Sequence, residues 1–191
     1  MTSTLRQGIR LSRSRQGPAV VGFTLVELLV TIAVAAILLA AALPNFREMG
    51  LRSRVTQAAN QLAADLAYAR SEAVKRAVRV AVQRAGSSWA DGWQVALDTN
   101  GDGVFDAKDD PPLQKREKLA EGFILKAGLA SDGTDEAQIV FSVLGGVVDP
   151  GAMQFAVCRP DKRADQARLI DVQSSGIVSA RQGIGSAKVG C

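Results

Sequence analysis

The chain has 191 residues, 47% of them hydrophobic, and no histidine, which excludes Ser-His-Asp and Cys-His catalysis and histidine-rich metal sites. Its net charge of +4 resides entirely in residues 1–22, which hold Arg6, Arg10, Arg13 and Arg15 and no acid. Without that piece the remainder is neutral, so the basic balance is no argument for a nucleic-acid partner.

Residues 1–22 read as a polar, basic leader. From Phe23 to Leu43 the chain is apolar, with Glu27 as its single charged residue, and Pro44 follows. As a helix this run would be about 31 Å long, the thickness of a bilayer's hydrocarbon core. An ionisable group in such a segment is expensive and is expected to have a partner or a task. The run is too long for the apolar region of a secretory signal, and no small-residue cleavage site follows it.

From Asn45 to about Arg76 a second helical pattern runs. Val55, Ala59, Leu62, Leu66, Ala69 and Ala73 fall at helical spacing on one face, which should pack on a domain. Gln57, Gln61, Asp65, Arg70 and Glu72 take the other faces. Pro44 removes one backbone hydrogen bond, and Gly50 adds a weak point.

After Lys75 the period changes to two. Val78, Val80 and Val82 alternate with polar or small residues, and so do Trp93, Val95 and Leu97, predicting a hairpin around Gly86-Ser87-Ser88. Further strands are expected at Phe123–Ala127, Gln138–Val143, Met153–Val157, Arg168–Val172 and Ile177–Ala180, with turns at Gly145-Gly146 and Ser174-Ser175-Gly176. The fold class is therefore α+β: one long N-terminal helix packed on an antiparallel β-domain. The expected organisation is a leader over 1–22, a membrane helix over 23–43, and a globular part over 44–191. The last divides into an amphipathic helix, 45–76, and a β-domain, 77–191.

Three constellations could carry chemistry. Asp98, Asn100, Asp102, Asp106 and Asp109, with Gly103 and the Val104 carbonyl, match the oxygen spacing of an EF-hand calcium loop, although Asp replaces the usual final Glu. Calcium is the one cofactor the chain suggests. The competing reading is a polar hairpin loop, since Asn-Gly and Asp-Gly are themselves turn formers. Cys158 and Cys191, 33 residues apart, either form a disulfide in an oxidising compartment or stay as two thiols. Arg159, Lys162, Arg163 and Arg168 form a basic stretch that could meet DNA phosphates, but acids are interleaved and no aromatic is available to stack.

The run Gly22-Phe23-Thr24-Leu25-Val26-Glu27-Leu28-Leu29-Val30, with its apolar helix and Pro44, resembles the class III signal of type IV pilins and type II secretion pseudopilins. Leu66 to Arg76, Gly92-Trp93, Asp98 to Gly103 and Phe141 to Gly145 are similar to the type II secretion protein H and FimT-like branch of that family. The resemblance implies a non-enzymatic filament subunit of the type II secretion pseudopilus or of type IV pilus assembly; a DNA-binding minor pilin for transformation is the alternative. It implies cleavage between Gly22 and Phe23 and methylation of Phe23 by a prepilin peptidase. Glu27 would then be paired with the terminal amine of a neighbouring subunit. The implied partners are that peptidase, other pilins or pseudopilins, the inner-membrane assembly platform and, less readily, DNA. The implied location is the inner membrane, crossed once, with the N-terminus cytoplasmic and the C-terminal domain periplasmic.

Overall fold

The computed structural model describes residues 22–106, 110, 112–183 and 188–191. It has one long helix, α1 (Leu25–Arg76), followed by nine strands. The chain divides into two compact units, one ending at Pro44 and one running from Asn45 to Cys191.

In the second unit the strands form two antiparallel sheets. One has five strands, in the order β3 (Pro112–Arg116), β2 (Trp93–Leu97), β1 (Val80–Arg84), β5 (Gln138–Phe141), β6 (Val147–Asp149). The other has four, in the order β4 (Ile124–Leu129), β7 (Met153–Cys158), β8 (Arg168–Val172), β9 (Val178–Gln182). Long helix and antiparallel sheets together make the α+β, pilin-like fold expected of the sequence.

The apolar stripe of α1 is buried along its length: Val55, Ala59, Leu62, Leu66, Ala69 and Ala73 are each no more than 1% exposed. They share one core with Val80 and Val82 of β1, Ile139 and Phe141 of β5, and Phe155 and Val157 of β7. Helical period meets strand period here, because each strand sends alternate side chains to the face that covers α1.

Several local expectations need correcting. Asp65 and Glu72 are buried rather than on solvated faces. Asp65 lies three residues after Leu62 and four before Ala69, so the helical geometry that makes the stripe carries it inward as well. Strand β1 begins at Val80 rather than Val78; Ala77, at φ 54°, turns the chain out of the helix. β1 and β2 pair as a hairpin, Val80 opposite Leu97, but the connection is longer than a short turn. It holds a 3-10 turn, Trp89–Asp91, started by a capping box in which Ser88 accepts from the Ala90 amide and Asp91 accepts from the Ser88 amide. This turn buries Trp89 edge-on against Phe155, ring centroids 5.0 Å apart.

Strands β3 and β6 fall outside the strands that the sequence pattern predicts. Pro-Leu-Gln-Lys-Arg lacks the β-branched alternation of a half-buried strand, and β6 has only three residues. Both are sheet edges, where pairing on one side is enough and a leading proline is tolerated.

Candidate functional site

In the first unit, Thr24 caps α1: its Oγ1 accepts from the Glu27 amide at 3.2 Å. Glu27 therefore stands at the third helical position, in the first turn, where the exposed amides of a helix start favour a carboxylate. Around it the helix is apolar and uncovered: Phe23, Leu25, Val26, Leu38 and Ile37 are 66–76% exposed. A soluble surface does not tolerate so continuous an apolar face, so the segment calls for lipid or other helices around it. No single helix among the described residues is long and apolar enough to cross a membrane, and Leu25–Ala40 with Asn45–Arg76 meets that test only as a pair, by length and composition.

The second unit fastens α1 to its sheets through three arginine clamps. Arg116 of β3 grips Asp65 bidentately, Nε to Oδ2 at 2.9 Å and Nη2 to Oδ1 at 2.8 Å, while Trp93 Nε1 donates to the same Oδ2 at 2.9 Å. Arg70 reaches from the helix to two turns, Nε to the Gly145 carbonyl at 2.9 Å and Nη2 to that of Ser175 at 3.4 Å. Gly176 must be glycine at this junction. Its φ is +79°, and a Cβ would sit 1.9 Å from the Gly145 oxygen.

The third clamp changes the reading of the basic stretch. Arg159 is buried, donating to both oxygens of Glu48 on α1, at 2.5 and 2.8 Å, and to Asp161 at 2.8 Å. Its guanidinium is thereby committed inside the protein and not offered to a phosphate. Lys162 and Arg163 are exposed, with Arg163 paired to Asp165 at 3.2 Å, and Arg168 is half-buried in β8.

The Arg159 hydrogen bond, helped by Arg52, holds the Glu48 carboxyl down at about 2, against an ordinary 4.5. A carboxyl lowered by folding stabilises fully above its unfolded value and loses that contribution as pH falls through its folded one. Thermal midpoints of the wild-type chain should therefore drop between about pH 4.5 and pH 2 relative to those of Glu48→Gln. Parallel curves across that window would remove the pair from the acid response.

Cys158, at the end of β7, and Cys191 are joined in a disulfide, Cα to Cα 5.8 Å. Around it Ala156, Leu169 and Val189 make a small second core.

The acidic loop after β2 gathers part of the expected set. Asp98, Asp102 and Asp110 each place a carboxylate oxygen within 4.8 Å of the other two. Asn100 lies on Asp102, its Nδ2 donating to Oδ2 at 2.8 Å and its Oδ1 accepting from the Asp102 amide at 3.1 Å. The Asp106 carbonyl accepts from the Asp110 amide at 2.9 Å. Asp109 lies outside the described residues. A count of twelve from Asp98 ends at Asp109 and so passes over Asp110, which lies two residues before β3 opens at Pro112.

Two family models match. One, for a prokaryotic N-terminal methylation motif, covers residues 22–43. The other, for type II transport protein GspH, covers residues 58–176, more than half of the chain. The chain belongs to the GspH family. It is thus a minor pseudopilin of the type II secretion class, a structural protein and not an enzyme. Its methylation motif, followed by the apolar helix, is that of an inner-membrane-anchored prepilin that a prepilin peptidase processes.

Solved structures agree on the fold of this GspH-family chain. It is similar to the Pseudomonas aeruginosa type IV minor pilin FimU, at 25% identity over 69% of this chain and 96% of that one, with a TM-score of 0.54. It is similar in fold to the Vibrio cholerae minor pseudopilin EpsH, at 14% identity over 68% and 97% of the two chains, with a TM-score of 0.51. No curated protein sequence matches it.

Proposed function

We propose that this GspH-family chain is inserted with residues 1–22 in the cytoplasm, cut between Gly22 and Phe23, methylated on Phe23, and drawn into a periplasmic pseudopilus through residues 23–43. The observation that carries this is the uncovered apolar helix with one acid in its first turn. Cleavage creates an amine four residues before Glu27, and in a bundle of such helices the amine of one copy meets the carboxylate of another. At 4 Å such a pair attracts by about 4 kcal/mol at an effective dielectric of ~20, against about 1 kcal/mol in water. An unpaired carboxylate in that apolar setting is costly, so the pair sets the stagger between subunits. The head domain, 45–191, is then held outside the membrane. Its Cys158–Cys191 disulfide accords with an oxidising periplasm.

Glu27→Ala should be cut and methylated as efficiently as the wild type, seen as equal intact masses of the purified chains. Its co-isolation with the other pseudopilins from the host should fall at least tenfold. An uncleaved wild-type chain would defeat the processing step, and normal incorporation of Glu27→Ala would defeat the assembly step. DNA binding by the 159–168 loop has less support, because Arg159 is committed to Glu48 and Asp161.

A further inference from the structure

We infer that the loop between β2 and β3 is a calcium site built on Asp98, Asp102 and Asp110. Three carboxylates converge there, each placing an oxygen within 4.8 Å of the other two, close enough to share one hard cation. An all-oxygen set on an irregular loop suits calcium, which accepts flexible geometry, better than magnesium, which demands a near-ideal octahedron and gives up its water reluctantly. Charge points the same way. Arg79 Nη2 lies 2.8 Å from Asp98 Oδ2 and donates to the Gly101 carbonyl at 3.1 Å, so it balances one of the three negative charges. The two that remain match a divalent ion.

An independent observation comes from Asp110. The residue is 2% exposed, and while its Oδ1 accepts from the Thr99 amide at 2.6 Å, its Oδ2 is buried with no donor among the described residues. A buried carboxylate oxygen left without a partner is costly, and that cost is relieved by a cation. The polar turn explains Asn100 and Asp102, whose oxygens cap loop amides, including that of Val104 at 2.7 Å. It does not explain why a third carboxylate is buried against them.

The test uses the full chain in detergent micelles, titrated calorimetrically with calcium chloride and, separately, magnesium chloride. One calcium should bind per chain with a dissociation constant of about 10⁻⁴–10⁻³ M, the range of extracellular modules, and should raise the thermal midpoint. Magnesium should bind at least tenfold more weakly. Asp110→Asn should weaken calcium at least tenfold. Asp102→Asn, an exposed position where folding is not at stake, should do the same, and Asp132→Asn in a distant turn should change nothing. No saturable heat up to 10 mM calcium with a folded chain, equal affinity for magnesium, or undiminished binding in Asp102→Asn would each overturn the assignment.

Discussion

Asp65→Ala should destabilise the head domain by about 3 kcal/mol, the lower end of the range for breaking a buried ion pair. The lower end applies because the Arg116 side chain is 35% exposed and water can take up part of its charge. Most of the loss is at Asp65, whose side chain is 3% exposed and satisfies three donors from β2 and β3. Removing it leaves the Trp93 indole N–H buried without an acceptor. Asp65→Asn should cost less, since an amide oxygen still accepts from Trp93. Arg116→Ala should approach the cost of Asp65→Ala, because it strands the buried carboxylate instead of the half-exposed base. Urea unfolding of the full chain in detergent measures all three. Values within 0.5 kcal/mol of wild type for both alanine variants would show that the core stripe alone holds β2 and β3 to the helix. Asp65, Trp93 and Arg116 all lie in the unit running from Asn45 to Cys191, so the loss should fall on the head domain.

The long-range architecture was legible because two periodicities dominate it. The 3.6-residue stripe from Val55 to Ala73 and the alternation in β1, β2, β5, β7 and β8 are properties of consecutive residues; the stripe is buried as read, and alternate strand residues enter the main core, although several residues between them, such as Ala81, Val140 and Ala156, are buried as well. What stayed hidden depends on partners distant in sequence. Asp65 looked like a solvated acid because Arg116 lies 51 residues away. Arg159 looked like a surface base because Glu48 lies 111 residues before it. Edge strands β3 and β6 had no alternation to see, because an edge is stabilised by its one neighbour's backbone and not by its own apolar face. The processing motif was legible for the opposite reason. It is contiguous: Gly22, Phe23 and the apolar run behind them form one stretch of the chain, the stretch that the methylation-motif family model matches.

Cys158→Ser, and separately Cys191→Ser, should cost about 3–4 kcal/mol, the chain-entropy value for a loop closed over 33 residues. Reducing agent should destabilise the wild type by the same amount and leave both variants unchanged. The loss is local in its first effect. The disulfide is what binds the chain end to β7, and it lets Val189 cover Ala156 and Leu169 on the face of the second sheet turned away from α1. Freed of it, residues 188–191 keep the Lys188 amide bonded to Gln154 at 3.0 Å, the attraction between Lys188 and Asp132, and a handful of apolar contacts. Hydrogen exchange should therefore quicken first in β7 and β8, which Val189 covers, before α1 or β1. Such a staple is useful only where thiols oxidise. A chain retained in a reducing cytoplasm should show the lower thermal midpoint and the faster exchange of Cys191→Ser, and the periplasmic chain should not. Identical stability of the two pools would break the link between the disulfide and the compartment proposed for the head domain.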